Sequence, residues 1–155
     1  MTYTVPRHVV ESVYEALAVS SGDQLAPHLA DDVEWTISGP VDVLSFCGRH
    51  RGKAAVVELI GQRVPKIFQI DRLVPELILI DGERASLLSR VSGKKTDDGR
   101  SISYRIAQFI RFRDDKVVEY RSLIDSFDAV EQMLGCPIEV HEGRPSVGSG
   151  GLVAL

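Results

Sequence analysis

The stretch from Ser101 to Asp125 constrains the fold most. Along Ser101-Ile-Ser-Tyr-Arg-Ile-Ala-Gln-Phe-Ile-Arg-Phe-Arg113, residues Ile102, Tyr104, Ile106, Gln108, Ile110 and Phe112 fall on one face, the period of two that marks a strand. Asp114-Asp115 supplies a turn, and Lys116 to Asp125 returns with Val118, Tyr120, Ser122 and Ile124 on one face, which completes a long antiparallel hairpin. A face that is mostly apolar but carries Tyr, Gln and Ser suits the wall of a semi-polar cavity better than a plain core.

Upstream, Arg7 to Ser20 places Val9, Val10, Val13, Tyr14 and Leu17 on one helical stripe, and Ser21-Gly22-Asp23 ends that helix and starts a short second one, Gln24 to Leu29, with Asp23 as N-cap. Asp31-Asp32 precedes a short strand, Val33 to Ile37, stopped by Ser38-Gly39-Pro40. Val41 to Arg51 reads as a loop carrying Asp42, Phe46, Cys47 and His50, and Gly52 opens a helix that runs to about Lys66. Arg72 to Ile80 is a strand containing Pro75, which is best tolerated on an edge or at a bulge. Asp81-Gly82 signals a hairpin into Ala85 to Gly93, and a polar loop, Lys94 to Arg100, leads into the long hairpin. Ser126 to Leu134 reads as a closing helix with Asp125 or Ser126 as N-cap and Gly135 as C-cap.

A chain of 155 residues with 44% hydrophobic content holds one domain with a sizeable core. We place that domain at residues 1–135 and a Gly-rich tail at 136–155, where Leu152, Val153 and Leu155 could pack on the domain or on a partner. A net charge of −4 with scattered basic residues argues against nucleic acid or an anionic membrane as partner. No apolar run approaches a membrane span, and Met1-Thr-Tyr-Thr-Val-Pro-Arg lacks the pattern of a signal peptide, so a cytoplasmic location is expected. Cys47 and Cys136 have no metal-ligand spacing, so neither a metal nor another cofactor is expected, and both thiols read as free.

The order of these pieces resembles the cone-shaped nuclear transport factor 2-like fold, shared by ketosteroid isomerases, limonene-epoxide hydrolases, scytalone dehydratases and SnoaL-like polyketide cyclases. The resemblance runs from about Val9 to Gly135. It rests on Ser21-Gly22-Asp23, Leu29-Ala30-Asp31-Asp32-Val33, Gly48-x-x-x-Gly52, and Phe112-Arg-Asp-Asp-Lys-Val-Val-Glu-Tyr-Arg121 followed by Asp125, with the last pieces most similar to the SnoaL-like branch. It implies an α+β fold whose curved antiparallel sheet wraps a pocket closed by helices, with the outer face open to a second subunit. Arg90, Ser92, Tyr104, Gln108, Tyr120 and Ser122 would then face inward with Tyr14, Trp35 and His50, while Arg105, Phe109, Arg111 and Arg121 would face out to a dimer partner.

Each relative implies different chemistry. Similarity to ketosteroid isomerases puts an oxyanion-stabilising tyrosine at Tyr14 and the second oxyanion donor at Gln108. Ser38-Gly39-Pro40 stands where their catalytic acid falls, so Asp42 or His50 would have to act as base. Similarity to limonene-epoxide hydrolases keeps an arginine as Arg90 but puts Ser92 and Ser122 where two carboxylates are required, which disfavours epoxide hydrolysis. A SnoaL-like cyclase needs one acid/base and an orienting pocket. For that chemistry His50 is the candidate base, Arg90 the enolate stabiliser, and Tyr104 and Gln108 hydrogen-bond donors. The bland alternatives are a solvated loop histidine for His50, an ion pair with an acid such as Glu34 for Arg90, a helix cap for Asp125, and aromatic lining for Tyr14, Trp35 and Tyr104. The expectation is a homodimer that binds a small, partly apolar molecule, with isomerase, cyclase or lyase chemistry on one reading and a non-catalytic binding or assembly module on the other.

Overall fold

Residues 2–139 are described in the computed structural model. The expected tail contacts of Leu152, Val153 and Leu155 lie outside the described residues. Helix α1 (Arg7–Ala18) buries Val9, Val10, Val13 and Leu17, the stripe that its spacing requires. Helix α2 (Gly22–Leu25) is capped by Ser21 rather than Asp23, because the Ser21 hydroxyl accepts the Gln24 N–H at 3.1 Å. Gly22 lies so close to the Val57 carbonyl that any side chain would collide with backbone, so the glycine of Ser21-Gly22-Asp23 is a packing requirement.

A 3-10 turn (Ala26–His28) leads into β1 (Leu29–Ser38). The strand starts at Leu29 rather than Val33, since Leu29 already pairs with Val117 and the register then shifts before Glu34, leaving Asp31-Asp32 in the irregular stretch. The segment expected to be loop contains β2 (Gly48–Arg51), whose Gly-Arg-His-Arg sequence has no apolar alternation and becomes a strand by pairing with β1. The helix expected over Gly52–Lys66 is α3 (Lys53–Glu58), a π turn (Leu59–Arg63) and α4 (Val64–Ile67). Pro65 has no N–H to give the preceding turn, and the widened turn before it absorbs the mismatch.

Strands β3 (Phe68–Asp81), β4 (Arg84–Lys95), β5 (Ser101–Arg113) and β6 (Lys116–Ile124) complete a six-stranded sheet of order β2-β1-β6-β5-β4-β3. All neighbours are antiparallel except β1 and β6. Pro75 sits in the edge strand β3 next to a register shift, as its missing N–H demands. Asp114 and Asp115 both take positive φ in the β5–β6 turn (51° and 59°), and Tyr3 fastens that turn by donating to Asp115 Oδ1 at 2.8 Å.

Helix α5 (Ser126–Leu134) follows and ends at Gly135, whose φ of 74° is the left-handed cap conformation. Asp125 stands at the N-cap position without a side-chain cap bond. Pairing of β5 with β6 extends from the turn only to Ile106 and Ile124. The Gln132 side chain bonds both the N–H and the carbonyl of Ser103 at 2.8 Å, so α5 continues the ladder where β6 stops.

The β4–β5 register corrects one expectation. Val91 opposes Tyr104 and Leu87 opposes Gln108, whereas Arg90 opposes Arg105 and Ser92 opposes Ser103. Directly opposed residues share a face, so the inward residues of β4 are Ala85, Leu87, Ser89 and Val91, all buried. Arg90 and Ser92 stand on the outer face.

Candidate functional site

The concave face of the sheet and the helices enclose a cavity of about 80 Å³, room for several waters or a small organic molecule. Its wall is mostly apolar: Leu17 from α1, Phe46 from the β1–β2 loop, Ile60 and Val64 from the helical segment before β3, and Phe68, Leu73 and Val91 from the sheet. Trp35, Tyr104, Gln108, Tyr120 and Ser122 supply the polar groups, and Ser20 joins from the end of α1. No Asp, Glu, Lys, Arg or His is among the lining residues.

The polar groups form a connected chain. Ser89 donates to Gln108 Oε1 at 3.0 Å, and Gln108 Nε2 donates to the Tyr120 hydroxyl at 2.7 Å. Gln108 was the lone polar residue in an apolar row, and burial at this position is tolerable because both ends of its amide are used. The ring of Tyr120 stacks on Trp35 with centroids 3.7 Å apart and planes 8° from parallel. That stack follows from the β1–β6 register, which sets Trp35 beside Tyr120.

Burial pushes the Tyr120 hydroxyl up to about 12, with hydrogen bonds to Gln108 and Ser122 pulling the other way. Burial raises Tyr104 further, helped by the nearby Cys47 and Tyr120. Both are therefore neutral donors at physiological pH and cannot serve as bases. Burial likewise raises the Cys47 thiol to about 11, which keeps it protonated and unreactive.

The structure brings Trp35, Tyr104, Gln108, Tyr120 and Ser122 together and leaves four expected residues out. Arg90 is 45% exposed on the outer face, where it pairs at 3.5 Å with Glu76, an acid that Arg105 shares at 3.4 Å; Glu34 pairs instead with Arg49. Ser92 meets Ser103 on that same face at 3.1 Å. Tyr14 is half-buried against the core and does not line the cavity. His50 opposes Trp35 across β1 and β2, but its Nε2 donates to the Phe46 carbonyl at 3.1 Å and the residue stays outside the lining set. His50 and Arg90 therefore do not form a pair. Ser89 and Val91 are the residues that sequence reasoning missed. The pairing of even-numbered residues in β5 with odd-numbered residues in β4 would have revealed them.

Residues 10–120 match the family model described as a SnoaL-like domain. The chain belongs to the SnoaL-like family. No protein of curated function matches it. Among solved structures it is similar to a protein of Rhodopseudomonas palustris whose isomerase assignment is provisional, with 32% identity over 83% of this chain and 98% of that one and a TM-score of 0.76. A nuclear transport factor 2-like protein of Burkholderia xenovorans LB400 has 25% identity over 81% and 93%, at a TM-score of 0.69. A protein of Catenulispora acidiphila with a ketosteroid isomerase-like fold, solved with trimethylamine, has 12% identity over 84% and 95% at 0.69 and shares the fold alone. This SnoaL-like chain therefore has the nuclear transport factor 2-like architecture. Among its described residues no helix is long and apolar enough to cross a membrane, and no cluster of three potential metal ligands occurs.

Proposed function

We propose that the SnoaL-like domain binds a small, largely apolar organic molecule in the cone cavity, and that binding rather than acid/base chemistry is its primary role. The observation that carries this reading is the lining itself: an apolar wall with a few fixed, neutral polar groups and no titratable group able to exchange a proton near pH 7. The direct test is thermal unfolding with and without millimolar cyclohexanone, a small neutral cyclic probe. A ligand that binds only the folded state raises the midpoint as its concentration rises. A midpoint unmoved by this and other neutral cyclic probes of similar size would count against the proposal.

A catalytic reading has one specific support, the 32% identical relative with its provisional isomerase assignment. On that reading Tyr104 and Tyr120 stabilise an enolate oxygen, and His50 reaches the cavity by giving up its bond to Phe46. Exchange of the α-protons of cyclohexanone in heavy water separates the two readings. Acceleration that His50→Ala abolishes would establish isomerase-type chemistry, and no acceleration favours the binder.

We also propose a homodimer through the outer sheet face. Phe109 and Leu123 stand 48% and 54% exposed there, in a groove rimmed by Arg49, Arg84, Arg111, Arg121, Glu34 and Glu119. Sedimentation should give a dimer that Leu123→Glu converts to monomer; a wild-type monomer at high micromolar concentration would rule this out.

A further inference from the structure

We infer that the outer sheet face holds a phosphate-type dianion at Arg84 and Arg111, and that this anion tightens the dimer. The inference rests on the outer-face dimer proposed above. The chain carries a net charge of −4, yet the groove around Phe109 and Leu123 is lined by Arg49, Arg84, Arg111 and Arg121 against only two acids, Glu34 and Glu119. Both acids are committed. Glu119 meets Arg111 at 3.3 Å through one oxygen and Arg121 at 2.7 Å through the other, and Glu34 meets Arg49 at 3.3 Å. Arg84 is left over. It stands directly opposite Arg111 across β4 and β5, and Asp81, which opposes it on β3, forms no ion pair with it.

Like charges set opposite each other on a ladder repel. In the monomer the groove is open, and water and salt screen that repulsion. A two-fold dimer brings the same groove of both copies together, excludes that water and doubles the surplus of positive charge, so each leftover arginine becomes expensive to cover. The second copy carries the same surplus and cannot supply the missing acid. A small anion can. Guanidinium groups present paired N–H donors that match the oxygens of a tetrahedral oxyanion, and the Arg84–Arg111 register sets two of them on neighbouring strands of one face. A dianion such as inorganic phosphate or a phosphate ester offsets both charges, whereas chloride offsets one and offers no pair of oxygens.

Sedimentation equilibrium of the full chain at one fixed ionic strength tests this with chloride, inorganic phosphate and phenyl phosphate as the anion. Phosphate should lower the dimer dissociation constant at least tenfold relative to chloride. A larger response to phenyl phosphate would support the site and assign it to a phosphate ester; a response to inorganic phosphate alone would support it and assign a free ion. Arg84→Gln removes the facing charge and should leave a dimer that is insensitive to the anion and at least as tight in chloride as the wild type. Arg90→Gln, on the same face but outside the groove, should keep the full wild-type response. Loss of the response in both variants would mark general screening and overturn the site. A wild-type dissociation constant equal in all three anions would overturn the anion and leave the dimer standing, and a monomer at high micromolar concentration in every anion would overturn both readings together.

Discussion

Gln108 shows how one residue sets the character of the cavity. Its amide joins Ser89 to Tyr120 in a mostly apolar wall, so Gln108→Leu leaves the Ser89 hydroxyl without its partner and the Tyr120 hydroxyl with Ser122 alone. We expect a loss of about 1–3 kcal/mol in denaturant unfolding, and a loss within experimental error would mean that the chain of bonds does not form. Arg90 is the opposite case. Its pairing with Glu76 is largely exposed, so Arg90→Ala should change stability by less than about 1 kcal/mol and leave cyclohexanone affinity unchanged. A large fall in affinity would return it to the cavity. Cys136 is exposed and Cys47 buried with a raised pKa; a thiol reagent at neutral pH should modify Cys136 quickly and Cys47 only on unfolding.

At the level of elements, the long hairpin was legible because period-two alternation and an Asp-Asp turn are local signals. The edge position of Pro75 and the helix stop at Gly135 were legible for the same reason. What escaped was non-local. Strand β2 exists through its pairing with β1, and the face of β4 depends on a register fixed across the Lys94–Arg100 connection, so alternation alone left Arg90 and Val91 equally eligible for the cavity. Trp35, Tyr104, Gln108, Tyr120 and Ser122 were grouped by parity within each strand and turned inward by the family resemblance; the two-residue turn alone would set Gln108 opposite Arg121, and the register shift between Arg111 and Phe112 is what brings Gln108 opposite Ser122. The packing of α2 on α3 yields a test of its own. Gly22→Ala puts a methyl group against the Val57 carbonyl and should cost about 1–3 kcal/mol by overpacking; a neutral substitution would show that the two segments separate freely.

For the whole molecule, burial in the cone couples stability to alkaline pH. Tyr120 has an ordinary pKa of 10.0 and is held at about 12 in the fold. The folded pKa is raised, so its contribution is fully present below pH 10 and is lost as pH rises toward 12. Tyr104 shifts in the same direction and adds to the loss. Unfolding free energy should therefore fall across that window, with the tyrosinate absorbance of both residues appearing together with unfolding. The central claim is that the cone cavity is where a small molecule binds, and filling the cavity tests it most directly. Val91 is buried in the wall opposite Tyr104, and Val91→Phe occupies the space while leaving the polar chain in place. Calorimetric titration with cyclohexanone, on a variant whose folded amide spectrum is retained, should show binding to the wild type and at least a tenfold loss in the variant. Equal affinity in the two proteins would contradict the account.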